Sequence, residues 1–144
     1  QFRAWRTGTY YLDARGVSTS TGRYTLQARD LDDDFANTIR TTGRIAVGGT
    51  QNGTIDSSRD QDWFRISLRA GRTYRFNLNG VGLRNPHLDL RDSSGRLLRR
   101  DDNGGTGLNS QIQFRAWRTG TYYLDARGVS SATGTYQIRA IQAS

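Results

Sequence analysis

The stretch Trp63 to Asn79, which reads WFRISLRAGRTYRFNLN, alternates apolar and polar side chains on both sides of a turn. Apolar residues occupy every second position from Phe64 to Leu68, and the same alternation resumes after Gly71. Successive side chains of a strand point to opposite faces of the sheet, so a period of two indicates a strand with one apolar face. The stretch therefore predicts two strands, separated by a turn at Gly71, that each contribute one face to a core.

The same period of two continues outward from this stretch through most of the chain. It predicts that the following side chains face the core: Phe64, Ile66, Leu68, Tyr74, Phe76, Leu78, Leu88, Leu90, Ile112, Phe114, Ala116, Tyr122, Leu124, Ala126, Tyr136, Ile138 and Ala140. Turns separate the runs at hairpin-like spacing, at Ala70-Gly71, Ser94-Gly95, Asn103-Gly104-Gly105 and Thr119-Gly120. About eight short strands at this spacing predict an all-β module, an antiparallel β-sandwich of jelly-roll type.

The beginning of the chain recurs near its end. Residues 1–18 are identical to residues 113–130, so the repeat period is 112 residues. This is too long for a solenoid, whose repeats run to roughly 20 to 50 residues, and we therefore expect tandem domains with separate cores. The expected division is residues 1–30 as the C-terminal strands of a preceding repeat module, residues 31–43 as an acidic inter-module linker, and residues 44–144 as a complete module.

The strands expected in residues 1–30 have no partner strands of their own. Three strands with one apolar face and an open edge are unfavourable in water. We therefore expect them to pair with an identical or neighbouring repeat module, by strand donation or in an open head-to-tail fibre.

Composition limits the function classes. The 144 residues are 34% hydrophobic, which supplies one core. The sequence has no cysteine, so it forms neither disulfides nor thiolate metal sites, and no apolar run approaches the roughly 18 residues of a membrane span. A catalytic nucleophile-and-base pair could be built only around His87, the single histidine. We expect His87 to be structural and the chain not to be an enzyme.

The net charge of +8 comes from 21 basic residues, all of them arginine. Arginine binds carboxylates and phosphates, so one interpretation is an anionic partner such as an acidic polysaccharide; the other is a solvated surface. A nucleic acid is the weakest candidate because no nucleic-acid motif accompanies the charge. Trp63, Trp117 and Tyr123 are predicted to face outward near Arg65 and Arg115, and they form a candidate ligand surface unless they pack under a loop.

The acidic residues are clustered more tightly than the basic ones. One group precedes the first strands, a second comprises Asp60 and Asp62 with Asp56, and a third is Asp101, Asp102 and Asn103. Adjacent carboxylates repel each other unless a cation lies among them. Oxygen donors without cysteine favour calcium, and the alternative is a solvated linker and acidic turns. The third group is a second candidate metal site.

Five segments, in order along residues 31–141, resemble the bacterial pre-peptidase C-terminal domain, a family related to the collagen-binding domains of clostridial collagenases. They are Gly53-Thr54-Ile55-Asp56, Asp60-Gln61-Asp62-Trp63-Phe64, Leu68-Arg69-Ala70-Gly71-Arg72-Thr73-Tyr74, Leu88-Asp89-Leu90-Arg91-Asp92-Ser93-Ser94-Gly95 and Gly120-Thr121-Tyr122-Tyr123-Leu124. The resemblance implies a jelly-roll sandwich that is a non-catalytic appendage of secreted peptidases and occurs in tandem on large extracellular proteins.

Some members of this family hold calcium between an acidic N-terminal linker and the sandwich. Carried over by position, the resemblance implies the ligands Asp32, Asp33, Asp34, Asn37, Asp60 and Asp62. The linker here reads DDDFAN, whereas the family linker is rich in glutamate. Calcium bound there would fix the linker against the following sandwich and stiffen a string of modules.

Taken together, these features predict a calcium-stabilised, non-catalytic β-sandwich repeat. The expected setting is a secreted or cell-surface bacterial adhesin, biofilm matrix or fibre protein, in which the module acts in self-association or adhesion. The alternative is a polymer-targeting accessory module of a secreted hydrolase or peptidase, which would bind a polysaccharide or protein polymer through outward aromatic and arginine side chains.

Overall fold

The computed structural model describes residues 6, 8–26 and 33–143. The chain divides into two compact units, Gln1–Leu31 and Asp32–Ser144. Within the described ranges, there is no helix of the length and apolarity needed to cross a membrane.

The second unit contains the eight strands of the described residues. They are β1 Thr50–Ile55, β2 Gln61–Leu68, β3 Thr73–Gly80, β4 Pro86–Arg91, β5 Leu97–Asp101, β6 Ser110–Arg115, β7 Gly120–Gly128 and β8 Gly134–Ala143. One sheet has the order β1-β8-β3-β6 and the other has the order β2-β7-β4-β5. All paired strands are antiparallel. The predicted all-β antiparallel sandwich is confirmed.

The core lies between the two sheets. Every side chain that the alternation predicted to face inward belongs to the buried core. Ile45, Ile55 and Leu83 complete this core from positions outside those alternating runs. The agreement follows from strand geometry, because alternate side chains of a strand enter the space between two stacked sheets.

The turns differ from the hairpins that their spacing suggested. Among the described strands, only β4 and β5, around Gly95, are both consecutive in sequence and paired in one sheet. The turn at Gly71 joins β2 to β3, which belong to different sheets, and the turn at Gly120 begins a strand of the sheet opposite β6. A turn sequence encodes a chain reversal, whereas the choice of partner strand depends on packing across the core.

In the first unit, no strand is present in residues 8–26. Leu12 is 65% exposed, whereas Leu124, the same residue of the repeat, is 0% exposed. Tyr24 is likewise 72% exposed, although its counterpart Tyr136 is 1% exposed. The first copy of the repeat therefore exposes side chains that form the core in the second copy.

The two copies nevertheless share their local hydrogen bonds. The Tyr10 hydroxyl donates to the carbonyl oxygen of Arg6 at 2.8 Å. At the equivalent place, 112 residues further on, the Tyr122 hydroxyl donates to the carbonyl oxygen of Arg118 at 3.0 Å. This contact spans four residues, so the local sequence is sufficient to form it.

A tight turn is also common to both copies. Ser18 has φ of 59° and Ser130 has φ of 56°, a left-handed conformation that few residues other than glycine adopt. In both copies the backbone N–H two residues after the serine donates to the carbonyl preceding it, at 3.2 Å in the first copy and 3.1 Å in the second. The first copy thus has the same turn geometry as residues 113–140 of the second copy, but it lacks their strand pairing. Its assignment to a preceding module stays a prediction.

The repeat provides a matched pair of core substitutions. Leu124→Ala should lower the free energy of unfolding by about 2–5 kcal/mol, because it leaves a cavity between the sheets. Leu12→Ala changes an exposed side chain in the identical stretch and should alter it by less than about 0.5 kcal/mol. Urea denaturation of both variants measures the difference. Equal losses in the two variants would contradict the assignment of core and surface.

Candidate functional site

An acidic cluster lies at the end of the sandwich where β1 ends and β2 begins. Asp33, Asp34 and Asp62 each offer a carboxylate oxygen within 4.8 Å of the other two. Asp62 is the second residue of β2, and the segment that carries the other two is attached to β1 by a hydrogen bond from Thr54 N–H to Asp34 Oδ2 at 2.9 Å. The fold therefore brings together three of the predicted ligands from distant parts of the sequence.

Gly53 allows a side chain from β8 to reach this cluster. The Tyr136 hydroxyl donates to Asp62 Oδ2 at 2.5 Å, and a Cβ added to Gly53 would lie 2.2 Å from the same hydroxyl oxygen. Burial and the neighbouring carboxylate raise the pKa of Tyr136 above its ordinary value, so the hydroxyl remains a donor. The absent side chain at Gly53 is therefore a requirement of the Tyr136–Asp62 contact.

Asp62 is the most perturbed carboxyl of the cluster. Its side chain is fully buried, and Oδ1 has no hydrogen-bond partner. Burial raises the pKa of Asp62 to about 9; the hydrogen bond from Tyr136 opposes this shift, and the nearby carboxylates of Asp60 and Asp34 add to it. The cluster thus holds a buried oxygen that lacks a partner and a carboxyl group that resists ionisation without a positive charge.

The other predicted ligands vary in their placement. Asp60 accepts a hydrogen bond from the Asp56 backbone N–H at 2.6 Å. Burial raises the pKa of Asp60, that hydrogen bond opposes the shift, and the charge of Asp33 raises it further, so Asp60 lies in the field of the cluster. Asn37 is exposed, and Asp32 lies outside the described residues.

The cluster has the donors that a hard divalent cation prefers. Carboxylate oxygens from two separate segments converge, and one buried oxygen lacks a partner. Calcium takes six to eight oxygen ligands at such sites, including backbone carbonyls and waters. The residues present fit the calcium ion implied by the resemblance, with Asp33, Asp34 and Asp62 as the ligands that would hold it.

At the second candidate metal site, Asp101 stabilises a loop. Asp101 Oδ2 accepts hydrogen bonds from Gly104 N–H at 2.7 Å and from Gln111 N–H at 2.9 Å. These contacts connect the end of β5 to β6 across the loop that contains Asp102 and Asn103. Backbone N–H groups thus donate hydrogen bonds to the Asp101 carboxylate, whereas Asp62 Oδ1 has no donor. A metal ion at this site stays a prediction.

The predicted ligand surface is not a single surface. Trp63 and Tyr123 are only 7% and 5% exposed, whereas Trp117 is 57% exposed and contacts the edge of a core ring. Arg65 and Arg115 are exposed, but they lie on β2 and β6, which belong to different sheets. Outward-facing side chains of different sheets point away from each other. The prediction that these five residues form one ligand surface is therefore wrong.

A covering segment, residues 39–41, explains why the two aromatic side chains are buried. Trp63 and Tyr123 do face away from the core, with ring centroids 5.8 Å apart. The Tyr123 hydroxyl donates to the carbonyl oxygen of Ile39 at 3.0 Å, and the Arg91 guanidinium lies 4.7 Å from the centroid of Trp63. The outer face of this sheet is therefore shielded from water around Trp63 and Tyr123.

The same outer face contains an ionic network that the sequence pattern did not reveal. Asp89 and Asp125 are fully buried. Asp89 receives hydrogen bonds from Arg91 at 3.1 Å and Arg127 at 3.0 Å and contacts His87 Nε2 at 3.0 Å. Arg91 also donates to Asp125 at 2.9 Å. The sequence signal for this network was an aspartate followed two residues later by an arginine, both at outward strand positions. His87 contributes one contact to the network.

The electrostatics of the network differ from those of the acidic cluster. Burial alone would raise the pKa of Asp89, but the hydrogen bond from His87 and the charges of Arg127 and Arg91 outweigh it, so the net shift is downward. Burial raises the pKa of Asp125 to about 6 against the opposing charge of Arg91. Arginines thus compensate the charge of Asp89 fully and that of Asp125 in part, which indicates a structural role for the network.

The fold and the site define an antiparallel β-sandwich domain with an acidic cluster at one end. Residues 60–128 match the family model of the bacterial pre-peptidase C-terminal domain, and this match contains β2 through β7. The sequence resemblance to the bacterial pre-peptidase C-terminal domain is therefore confirmed over residues 60–128. Among curated proteins, no sequence matches the chain.

Two of the following solved structures share this fold. The pre-peptidase C-terminal domain of a collagenase from Bacillus anthracis is 16% identical, with a TM-score of 0.58 over 68% of this chain and 92% of that one. CorA, a surface-associated copper-binding protein of Methylomicrobium album BG8, is 9% identical, with a TM-score of 0.50 over 70% and 97%. PliG from Aeromonas hydrophila, a periplasmic inhibitor of g-type lysozyme, is 13% identical, with a TM-score of 0.48 over 68% and 96%.

Asp62 should make stability depend on pH. Its pKa of about 9 in the folded state lies above the ordinary value of 3.8, so the folded protein retains a proton that the unfolded chain releases. The stability that Asp62 contributes is fully present below about pH 3.8 and is lost as the pH rises toward about 9. Asp125 acts in the same direction only up to about pH 6. In a chelating buffer, unfolding free energy should therefore fall between those values by up to about 1.4 kcal/mol per pH unit.

Substitution of Asp62 isolates this effect. Asp62→Asn cannot ionise but still accepts the hydrogen bond from Tyr136, so the fall above about pH 6 should disappear. Asp13→Asn, at an exposed position of the first unit, is the control and should keep the wild-type slope. Urea denaturation at several pH values measures both. A wild-type slope in the Asp62 variant would show that the cluster does not cause the pH dependence.

Proposed function

We propose that this chain is a non-catalytic, calcium-stabilised β-sandwich repeat of a secreted or cell-surface bacterial protein, such as an adhesin, a matrix component or a fibre. In this proposal the closing segment, residues 1–28, completes the sandwich of another copy of the module. The module thereby acts in self-association and spans distance within a larger assembly.

One observation carries the proposal: the closing segment shares with its counterpart one hydrogen bond near the start of β7 and the turn that follows β7, but its core side chains are exposed. Tyr10 and Ser18 have the contacts and backbone angle of their counterparts Tyr122 and Ser130. Because residues 1–18 are identical to residues 113–130, that part of the segment matches the site of β7 in another copy side chain for side chain. The opening strands of another copy are therefore the partner that fits it.

The energetics favour an acceptor without closing strands of its own. Burying a large apolar side chain contributes about 1.5–3 kcal/mol, and Leu12, Tyr24 and Leu26 are all more than half exposed. Exchange between two complete modules gives no net burial, because each segment that docks displaces an identical one. Docking of a closing segment stabilises the assembly only where the opening strands have no closing strands of their own. Consecutive copies in a repeating array provide such a place.

Calcium would act at the acidic cluster. When bound, the ion would supply the positive charge that Asp62 lacks and offset the repulsion among Asp33, Asp34 and Asp62. Since Asp34 already contacts β1 and Asp62 belongs to β2, the ion would fasten the segment preceding the sandwich to the sandwich itself. At a concentration 100 times its Kd, a cation of this kind contributes about 2.7 kcal/mol to stability.

Two features support the non-catalytic, extracellular part of the proposal. His87 lies in an ionic network with Asp89 and Arg127, which is accounted for structurally. The proteins of similar fold include a domain of a collagenase and a surface-associated protein. An accessory role beside a secreted hydrolase or peptidase remains the alternative function.

Complementation in trans tests the proposal. The acceptor is residues 33–112, which retains β1 to β5 and the first three residues of β6 and lacks the strands that follow. Refolded together from urea, the acceptor and the full chain should form a one-to-one complex with increased β-sheet content, measured by light scattering and circular dichroism. Leu12→Asp in the full chain should abolish the complex, because it places a charge in the core.

Val81→Asp is the matched control, since it adds the same charge at a side chain that is 77% exposed. This variant should bind the acceptor as the wild type does. Absence of a complex with the wild-type chain, or equal binding by the Leu12 and Val81 variants, would contradict the proposal.

A further inference from the structure

A groove of about 810 Å³ lies at the end of the sandwich opposite the acidic cluster. It runs between residues 44–47, the last residues of β2, the β2–β3 turn and the start of β7. A volume of this size lies within the range of small-molecule sites, which is roughly 300–1,000 Å³. The groove is therefore large enough for a segment of a polymer.

Four arginines line the groove: Arg44, Arg65, Arg69 and Arg72. All four are exposed, and the lining contains no acidic residue. In the part of the chain that the structure describes, none of the four forms an ion pair with a carboxylate. Arg91 and Arg127, in contrast, are paired with buried aspartates. The groove thus concentrates positive charge that the fold leaves available.

The acidic cluster is too distant to neutralise the charge at Arg69. Asp62 is at the start of β2, whereas Arg69 follows its last residue. At about 3.4 Å per residue, seven residues of strand separate the two positions by roughly 24 Å. This is about three times the Debye length of roughly 8 Å at physiological ionic strength. An anion at Arg69 would therefore experience the arginines and not the carboxylates, whereas Arg65, three residues or roughly 10 Å from Asp62, lies nearer to the cluster.

The remaining lining indicates the class of anion. Ser67, Thr119 and Gln142 contribute uncharged hydrogen-bonding side chains, which suit hydroxyl groups. Tyr74 is the aromatic residue of the lining and is 2% exposed, so no aromatic face is available for stacking a base. Single-stranded nucleic acids depend on such faces for much of their affinity. Alternating carboxylates and hydroxyls fit this groove better than phosphates with bases.

We propose that the groove binds an acidic polysaccharide, with uronate carboxylates on the arginines and sugar hydroxyls on the uncharged side chains. A guanidinium group binds a carboxylate through two parallel hydrogen bonds, which suits sugar acids spaced along a chain. The binding goes beyond the strand docking proposed above and requires none of the residues of the closing segment. Failure of one proposal therefore leaves the other standing.

The test uses the full chain and oligogalacturonate as the probe, with dextran as the neutral polymer and oligo(dT) as the nucleic acid. Affinity is measured by isothermal titration at several salt concentrations. We expect oligogalacturonate to bind in a salt-dependent manner and dextran not to bind. Arg69→Ala combined with Arg72→Ala should weaken binding about tenfold and reduce its salt dependence.

Arg99→Ala combined with Arg139→Ala is the matched control, since it removes the same charge from exposed residues outside the groove. It should change the affinity less than twofold, and both double variants should keep the wild-type urea midpoint. Equal weakening by the two double variants would show diffuse attraction and overturn the proposal. Absence of oligogalacturonate binding, or tighter binding of oligo(dT) through the same arginines, would also overturn it.

Discussion

The structure depends on the insertion of β7 and β8 into the interior of the two sheets. β7 lies between β2 and β4, and β8 lies between β1 and β3. Without the last strands, each sheet therefore separates into parts that have no direct backbone pairing between them. The opening strands β1 to β6 therefore leave one central strand position empty in each sheet. The closing strands β7 and β8 fill these two positions. This topology gives the duplicated closing segment its significance, because it is a second copy of the sequence that fills these positions.

Buried aspartates are stabilised in two different ways in this sandwich. Asp89 and Asp125 are buried beside arginines, which form ion pairs with them within the protein. Asp62 is equally buried, but it has a tyrosine hydroxyl and other carboxylates as neighbours, and it forms no ion pair with arginine in the described ranges. A buried carboxyl in that setting either keeps its proton or receives an external cation. The arrangement of charges thus distinguishes a structural network from a candidate binding site.

The sequence pattern predicted the core well because alternation reports a local property of each strand. Leu124 and Ile138, for example, are both buried between the sheets as predicted. The sequence did not reveal what covers the outer faces. Trp63 was correctly predicted to face away from the core, yet it is buried because Arg91 and the covering segment pack over it. The alternation also could not predict which strands pair with each other, because turns such as that at Gly71 connect strands of different sheets.

The most direct measurement is a disulfide that tests the register of the closing segment in another copy. Thr9 corresponds to Thr121, which lies opposite Ser67 in the β2–β7 pairing, and Arg15 corresponds to the residue opposite Gln61 at the far end of β2. The natural sequence has no cysteine. The acceptor, residues 33–112 with Ser67→Cys, is refolded with full chains that contain either Thr9→Cys or Arg15→Cys, and the disulfide yields are compared.

Docking in register brings only the Thr9 position within the roughly 4.4–6.8 Å Cα separation that a disulfide allows. The account therefore predicts a disulfide with the Thr9→Cys chain and little with the Arg15→Cys chain. Equal yields from the two chains would contradict it.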